Sequence, residues 1–535
     1  MATITINKID LENLVGKKLS NEVLAEKLAM LGTSVEKITK DSIDLEIFPN
    51  RPDLLSTEGI ARALSSFIGI KKGLRNYNVK KSDYIVNVDK KVASVRPFVV
   101  AAVVKNIRLN DETVQSIMQL QEKLHITLGR NRKKASIGVY DLDTIRFPLT
   151  YTTKTKDFKF TPLEFKNKLT LSKILQMHPK GREYAHLLDN FDEFPIWLDS
   201  NNQVLSMPPI INSDKTKVTG KTKNLFIDVT GLDKKTIEQA LNIIVTALAD
   251  RGAEIHSVKI ENKSYPNLLP KKAKLNLNYV NSLLGIKLNN SQLKILLSKM
   301  GYGFGNSILI PAYRADILHE VDLIEDIAIA YGYEKFKEEI PKVATIAEES
   351  SFKKFKAKIA EILVGLGLTE VNTFHLTNIN DAAKRMNHDI KAVELENAVN
   401  EDYNVLRPWL IPNLLKILEH NKHNPYPQNI FEIGIVFKED LSEVTRLAVV
   451  LCNNEANFTQ IKQVFDALFN ALNLDCKIGE TKHNSFIGGR VGRISVKGKD
   501  VAYIGDIHPA VLENFGLEMP ISVFELNLDE LFKII

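Results

Sequence analysis

Cysteine is nearly missing from this sequence: 535 residues contain two, Cys452 and Cys476. Neither belongs to a C-x-x-C pair or a His-rich stretch. A disulfide scaffold and a cysteine-based zinc site are therefore excluded, and a reducing compartment fits. No apolar run reaches the roughly 18 residues that a membrane helix needs, and the start is not signal-like; a cytoplasmic protein without membrane attachment is expected. An excess of one charge is also lacking. Lys and Arg number 71 against 65 Asp and Glu, a net +6 with a pI near 8.8. That permits an RNA partner without demanding one, because the distribution of charge decides the matter. There is no G-x-S-x-G elbow for a serine hydrolase. The 44% hydrophobic and 25% charged content is ordinary for globular chains, and the length is enough for three or four domains.

What is present is one small unit used twice. Residues 45–69 read LEIFPNRPDLLSTEGIARALSSFIG and residues 308–332 read ILIPAYRADILHEVDLIEDIAIAYG. Arg51 and Asp53 stand as Arg314 and Asp316 do, and Gly69 follows Asp53 at the distance at which Gly332 follows Asp316. Upstream, Gly16 and Gly32 bracket a helical pattern, as Gly285 and Gly301 do. A helix–strand–helix module is expected in both places, too far apart for a stacked solenoid.

The second copy adds carboxylates. Asp316 is expected to cap the last helix. Asp322, Glu325 and Asp326 share one helical face by their i, i+3, i+4 spacing, with Leu318, Val321, Ile324, Ala328 and Tyr331 towards the core. Converging carboxylates repel one another unless a cation sits among them, and Mg²⁺ takes such oxygen ligands. The alternative is a solvated acidic face favoured by the helix dipole. In the first copy Gly59, Arg62 and Ala63 occupy the places of Asp322, Glu325 and Asp326, so a shared fold does not require the cluster.

Along the chain, the first module spans 1–75 and a Lys-rich stretch, 71–92, reads as a linker. PFVVAAVVKNI, from Pro97, reads as a buried strand and 111–128 as a helix. Arg130, Arg132, Lys133 and Lys134 then form a basic turn, either a solvated face or a grip on a phosphate backbone. WLDSNNQVLSMPPIIN, residues 197–212, gives strand, turn, strand and a Pro-Pro break. Ser206 and Asn212 would line a concavity at that broken edge, with Asp228 of LFIDVTG beside it. Mixed with Trp197, Leu205 and Met207, these polar groups read either as a small-molecule pocket or as turn fixings. His178 and His186 fall on a predicted helix with no nucleophile near them. A helix over 237–250 follows, and Val258–Ile260 with the Pro/Lys-rich SYPNLLPKKA closes this domain. The second repeat copy fills 273–340, and EEIPKVAT links it to a domain over 350–535. There, helices at 352–366 and 458–472, a strand at 370–376 and the strands NIFEIGIVF, RLAVVLCNN, RVGRISVKG, VAYIGDI and ISVFELNL indicate an α+β fold on one large antiparallel sheet.

EIFPNRPDLLSTEGIARAL, the 197–212 segment with LFIDVTG, PAYRADILHEVDLIEDIAIAYGY, ENAVNEDYNVLRPWLIPNLL with NIFEIG, and GDIHPAVLENFGL together resemble the β subunit of phenylalanyl-tRNA synthetases, in the shorter archaeal and eukaryotic cytosolic form. The resemblance runs the length of the chain. It implies an α+β multidomain protein: two related modules, an α/β editing domain over 90–265, and a class II synthetase-like core over 350–535 that has lost catalysis. It implies an α₂β₂ heterotetramer that joins phenylalanine to tRNA(Phe) using ATP, with the α subunit carrying the aminoacylation site, and no DNA or membrane partner. Glu432 agrees, standing where a working core would offer an arginine to ATP; GRVGR at 489–493 leads into a strand and does not replace it.

For residues 90–265 the resemblance implies hydrolysis of Tyr-tRNA(Phe). An apolar synthetic pocket rejects the added hydroxyl of tyrosine by only about 10²-fold, so a second site is needed. Ser206, Asn212 and Asp228 would hold the amino acid and tRNA end, Trp197 would shape the pocket, and a positioned water would attack. It also implies a Mg²⁺ ion, distinct from the one on ATP, at Asp316, Asp322, Glu325 and Asp326. The competing expectations are a non-editing RNA-binding scaffold and a free-standing hydrolase of mischarged tRNA.

Overall fold

The duplicated segment holds more than helix, strand and helix. In the first copy the strand Ala2–Asn7 and the helices Lys8–Val15 and Asn21–Met30 precede the strands Thr33–Ile38 and Ser42–Ile47 and the helix Thr57–Phe67. The second copy repeats this order with Lys271–Ala273, Leu277–Leu284, Asn290–Lys299, Gly303–Phe304, Ile308–Ile310 and Glu320–Tyr331. In both, the last strand lies between the other two and is antiparallel to each. Gly16 (φ 83°) and Gly285 (φ 66°) close the first helices in the left-handed region, where a side chain is disfavoured. The helix ahead of Gly16 is absent from the sequence reading because it is two turns long and buries only Leu11 and Val15.

The structure is a computed structural model that describes residues 2–341, 343–344 and 346–535. Met1 of the first module and Lys342 and Thr345 of the expected linker lie outside the described residues. The chain divides into two units, Met1–Ile340 and Pro341–Ile535.

Within the first unit the two copies meet. Ser66 Oγ and the Gly73 N–H both donate to the Ser298 carbonyl, at 3.0 and 2.7 Å. Arg51 clasps Asp53 with two bonds of 2.9 Å, and Arg314 clasps Asp316 at 2.8 and 2.6 Å. Arg62 stacks on Tyr313 at 3.8 Å and binds Asp250 at 2.7 Å, tying both copies to the domain between them.

That domain is built on a ten-stranded sheet, which corrects the α/β expectation. Its order is Ile211–Asn212, Val204–Met207, Glu193–Leu198, Leu149–Thr155, Val79–Val88, Glu254–Ile260, Phe98–Lys105, Leu225–Gly231 and Ala135–Asp141, with Lys263–Tyr265 paired to Glu254–Ile260. Only the two pairings of Val79–Val88 are parallel; the others are antiparallel. Val79–Val88 falls in the expected linker. Ser82, Tyr84, Val86 and Val88 turn inward and alternate with exposed residues, a period that the surrounding lysines mask. The helix Lys234–Asp250 packs Ile237, Leu241, Ile244, Val245 and Leu248 against the sheet, each such side chain contributing about 1.5–3 kcal/mol when fully buried. The sheet curls until its ends face each other: Asn212 Nδ2, on one edge strand, donates to the Val139 carbonyl on the other at 3.2 Å.

The second unit carries a seven-stranded sheet in the order Thr369–Glu370, Ile430–Phe437, Glu443–Cys452, Ile521–Asn527, Lys499–Ile507, Phe486–Val496 and Lys477–Glu480. All neighbours are antiparallel except the first pair. Period-two alternation splits its core: Leu447, Val449 and Leu451 meet the helices Ser351–Gly365 and Phe458–Ala471, while Ala448, Val450 and Cys452 meet Ile411–Asn421. The strand expected over 370–376 is two fragments in different sheets, Thr369–Glu370 and Leu376–Thr377. Among the described residues no helix is long and apolar enough to cross a membrane.

Candidate functional site

The closure of the ten-stranded sheet leaves a cavity of about 370 Å³ at its seam. Ser206, Asn212 and Asp228 all line it. Ser206 and Asn212 are direct neighbours across the last strand pair. That pair is short because the Pro208–Pro209 break turns the chain at once. Asp228 enters from the strand Leu225–Gly231, where it lies opposite Gly138.

A residue absent from the sequence reading joins them. Tyr140 donates its phenolic proton to Asp228 Oδ1 at 2.5 Å and accepts from Ser206 Oγ at 2.8 Å. Gly138 makes the approach possible, since a Cβ there would overlap the Tyr140 hydroxyl and the Asp228 carboxylate. The strand Ala135–Asp141 is buried almost throughout, so it shows no alternation to mark a pocket face; the same-face spacing of Gly138 and Tyr140 was its only signal. Trp197 is not in the cavity wall. It is fully buried beneath it, 5.1 Å from the Tyr151 ring and 5.7 Å from Phe226.

Burial controls the electrostatics. Asp228 is 1% exposed, and removal from water pushes its carboxyl up to about 7. The Tyr140 phenol, the Trp197 indole N–H short of full hydrogen-bond geometry, and the Arg96 charge act in the opposite direction. His125 also lines the cavity, but Nε2 accepts from the Ile137 N–H at 2.8 Å and Nδ1 faces Glu122. Burial holds this imidazole down to about 4, against the pull of Glu122. His178, expected within a helix, is the residue between Leu171–Met177 and Pro179–Tyr184, where its Nδ1 caps the Lys180 N–H. His186 lies in the turn Ala185–Leu187.

Arg132 of the basic turn is buried rather than offered to a phosphate. It holds the Pro209 and Ile210 carbonyls at 3.1 and 2.9 Å, pairs with Glu122 at 2.9 Å and stacks on Tyr184 at 4.3 Å. It thereby fixes the Pro-Pro break that shapes the cavity.

The acidic cluster of the second repeat disperses. The helix starts at Glu320 with His319 as its cap, so Asp316 lies ahead of it, spent on Arg314. Asp326 is buried, bonded by Tyr302 Oη and paired with Arg314 at 2.8 Å. Asp322 folds back onto the Leu318 and His319 N–H groups, both at 2.7 Å. Glu325 alone is exposed. Leu318 and Val321 face solvent, and Leu323, Ile324 and Ile327 form the core side, one residue round from the expectation. Among the described residues no three His, Cys, Asp or Glu side chains are placed to hold a metal. These donors do not fit a chelating Mg²⁺ site on this chain by itself, because three of the four already have strong partners. Asp326→Asn is accordingly expected to cost about 1.5–3 kcal/mol, since buried Arg314 loses one charged partner and keeps Asp316, with the same loss in Mg²⁺ and in a chelator; Glu325→Gln should change the melting temperature by under about 1 °C, since exposed charges contribute little.

In the second unit Glu432 is not open to a nucleotide. It pairs with Arg407 at 2.6 Å, both side chains about 1% exposed. Arg407 also donates to the Ile435 carbonyl at 2.7 Å and to Thr373 Oγ1 at 2.7 Å, while Glu432 accepts from the Thr373 hydroxyl at 2.7 Å.

Three family models match the chain: the B3/4 domain over residues 81–247, the tRNA synthetase B5 domain over 273–333, and the phenylalanyl tRNA synthetase beta chain CLM domain over 337–528. The chain is 41% identical to the phenylalanine–tRNA ligase beta subunit of Pyrococcus abyssi over 559 residues, covering 100% of both chains. It is 41% identical to that of Archaeoglobus fulgidus, covering 99% of each, and 40% to that of Methanosarcina barkeri, also covering 99% of each. A solved N-terminal fragment of the Pyrococcus horikoshii β subunit superposes with a TM-score of 0.60 at 41% identity, covering 62% of this chain and all of the fragment.

Proposed function

Because this chain belongs to the phenylalanyl-tRNA synthetase β-subunit family and is thus a subunit of phenylalanine–tRNA ligase, we propose that its seam cavity hydrolyses tyrosine from mischarged tRNA(Phe) while an α partner binds phenylalanine and ATP and performs charging. The observation that carries this reading is the convergence of Ser206, Asn212 and Asp228 on one cavity, with Tyr140 joining Ser206 to Asp228. A tyrosyl side chain entering there presents its hydroxyl to a buried carboxylate. Phenylalanine offers no donor and leaves that carboxylate with the Tyr140 hydroxyl but no second donor, so discrimination runs opposite to that of an apolar synthetic pocket.

The cavity supplies no activated nucleophile. Ser206 is bound to Tyr140, and the His125 nitrogens are engaged. Hydrolysis therefore falls to a water held against the ester carbonyl, with the protein providing position rather than covalent chemistry. The second unit serves as the face for α, its Arg407–Glu432 pair filling the place where a working core binds phosphates. The expected setting is the cytoplasm, within an α₂β₂ assembly.

The test is co-expression with an α subunit. The purified complex should charge tRNA(Phe) and deacylate Tyr-tRNA(Phe). A chain that binds no α subunit, and deacylates equally well alone, would replace the subunit reading with that of a free-standing hydrolase.

Deacylation should also depend on pH. An ionised Asp228 accepts from the phenol as a charged acceptor and a protonated one only through its weaker, neutral carbonyl oxygen, so activity is expected to rise through an inflection near pH 7. The stability sign is the reverse. With its folded value raised, Asp228 burdens the fold increasingly as pH climbs from about 4 to about 7. Asp228→Asn should remove the inflection and be at least as stable as wild type at pH 8.

A further inference from the structure

We propose that the junction of the two repeat copies, with the open groove beside it, is a docking surface for the phosphodiester backbone of the tRNA, through Lys72, Lys299 and Lys335 with Lys27, Lys71 and Arg75 at the margins. The proposal rests on the reading of this chain as part of a tRNA ligase. Four separate segments deliver these cations: the helix Asn21–Met30, the stretch after Gly69, the end of the helix Asn290–Lys299 and the turn Tyr333–Lys335. The bond from the Gly73 N–H to the Ser298 carbonyl fixes Lys72 beside Lys299. Lys72 also lines a groove of about 540 Å³ together with Lys71, Arg75 and Lys80.

Counter-charge is sparse. Among the described residues Lys71, Lys72, Lys299 and Lys335 have no carboxylate within 4.0 Å; Lys27 meets only exposed Glu26 at 2.7 Å, and Lys80 meets Glu254 at 2.8 Å. Partial burial, then the charges of Lys335, Lys72 and Lys27, pull the Lys299 ammonium below its ordinary value. Arg75 uses Nη2 on Ser65 Oγ at 2.8 Å, while its Nε is buried without a partner. Helix dipoles favour a cation at Lys27 and Lys299, each in the last turn of its helix. They do not account for Lys71, Lys72 and Lys335, which lie outside those helices. Like charges gathered this closely destabilise the free protein, and a polyanion that releases its counterions on binding reverses that cost. Asp250 and Glu254 also line the groove, but they are held by Arg62 and Lys80, and the exposed Lys71, Lys72 and Lys335 with half-buried Lys299 spread over separate segments, which suits a backbone better than a single small anion.

The experiment measures tRNA(Phe) binding by the αβ complex across a salt series. Replacing Lys72, Lys299 and Lys335 together by Gln should weaken binding about tenfold or more near 0.1 M salt. The slope of log K against log salt should become shallower by about 2 to 3, close to one unit per lost phosphate contact. The corresponding triple Arg variant should keep the wild-type slope. ATP–pyrophosphate exchange without tRNA should be unchanged, which reports an intact assembly. A Gln variant with wild-type affinity and slope overturns the surface. A wild-type complex that neither binds nor charges tRNA overturns the premise with it, so the two failures are distinguishable.

Discussion

Asp228→Ala in the assembled enzyme is expected to lower Tyr-tRNA(Phe) deacylation by about 10²-fold, while phenylalanine charging stays within about twofold. A hydrogen bond to a charged group contributes about 1.5–3 kcal/mol, and each 1.4 kcal/mol is a factor of ten. The change also frees the Tyr140 hydroxyl, which loses its acceptor and with it the fixed position of Ser206. Asn212→Ala should lose less, about tenfold, because the Asn212 side chain is half-buried and its bond is to the uncharged Val139 carbonyl. Gly138→Ala provides an independent check. It removes no polar group, yet its Cβ pushes Tyr140 and Asp228 apart, so it should lower deacylation nearly as far as Asp228→Ala. The readout is release of tyrosine from pre-charged tRNA beside a standard charging assay. Equal deacylation in wild type and Asp228→Ala would remove the cavity from the reaction.

Arg407→Met is expected to destabilise the second unit by about 3–5 kcal/mol, a fall in melting temperature of about 6–20 °C for a domain of this size. The cause is the carboxylate left behind. Glu432 is as buried as Arg407, and loss of the guanidinium leaves it with the Thr373 hydroxyl and N–H. Arg407→Met with Glu432→Gln should recover more than half of the loss, because no buried charge then stands unpaired. Calorimetry of the αβ complex checks both. A double variant as unstable as the single one would mean that packing, rather than charge, holds this place. Neither variant should gain ATP-dependent activity.

The repeat was legible because it is written in glycines. Gly16, Gly32, Gly285 and Gly301 each have positive φ at the end of a helix, and residues that a backbone requires keep their spacing when surfaces change. That Ser206, Asn212 and Asp228 share one concavity was legible because a Pro-Pro break ends the strand pair beside them and Asp228 is a carboxylate in an apolar strand. Tyr140 was not, since a tyrosine in a buried strand reads as core until its hydroxyl is traced. The commitments within the acidic cluster were not legible for a related reason. Helical spacing puts Asp322, Glu325 and Asp326 on one face, but Asp326 is committed by Arg314 and Tyr302, residues whose approach no periodicity reports. Arg132 shows the same limit: a basic run reads as surface, and only the fold reveals that one of its members is a bolt through the Pro209 and Ile210 carbonyls.

The seam across which Asn212 reaches Val139 has a mechanical meaning. Elsewhere around the sheet, neighbouring strands are stitched by backbone ladders that open only cooperatively. Here side-chain bonds span the gap, through Asn212, through Tyr140 with Ser206, and through Arg132 to the Pro209 and Ile210 carbonyls. On the proposed function, admitting a bulky nucleotide terminus here would break side-chain bonds and leave every strand ladder paired. Breathing at this line and melting of the domain become separate events, free to differ by orders of magnitude in rate.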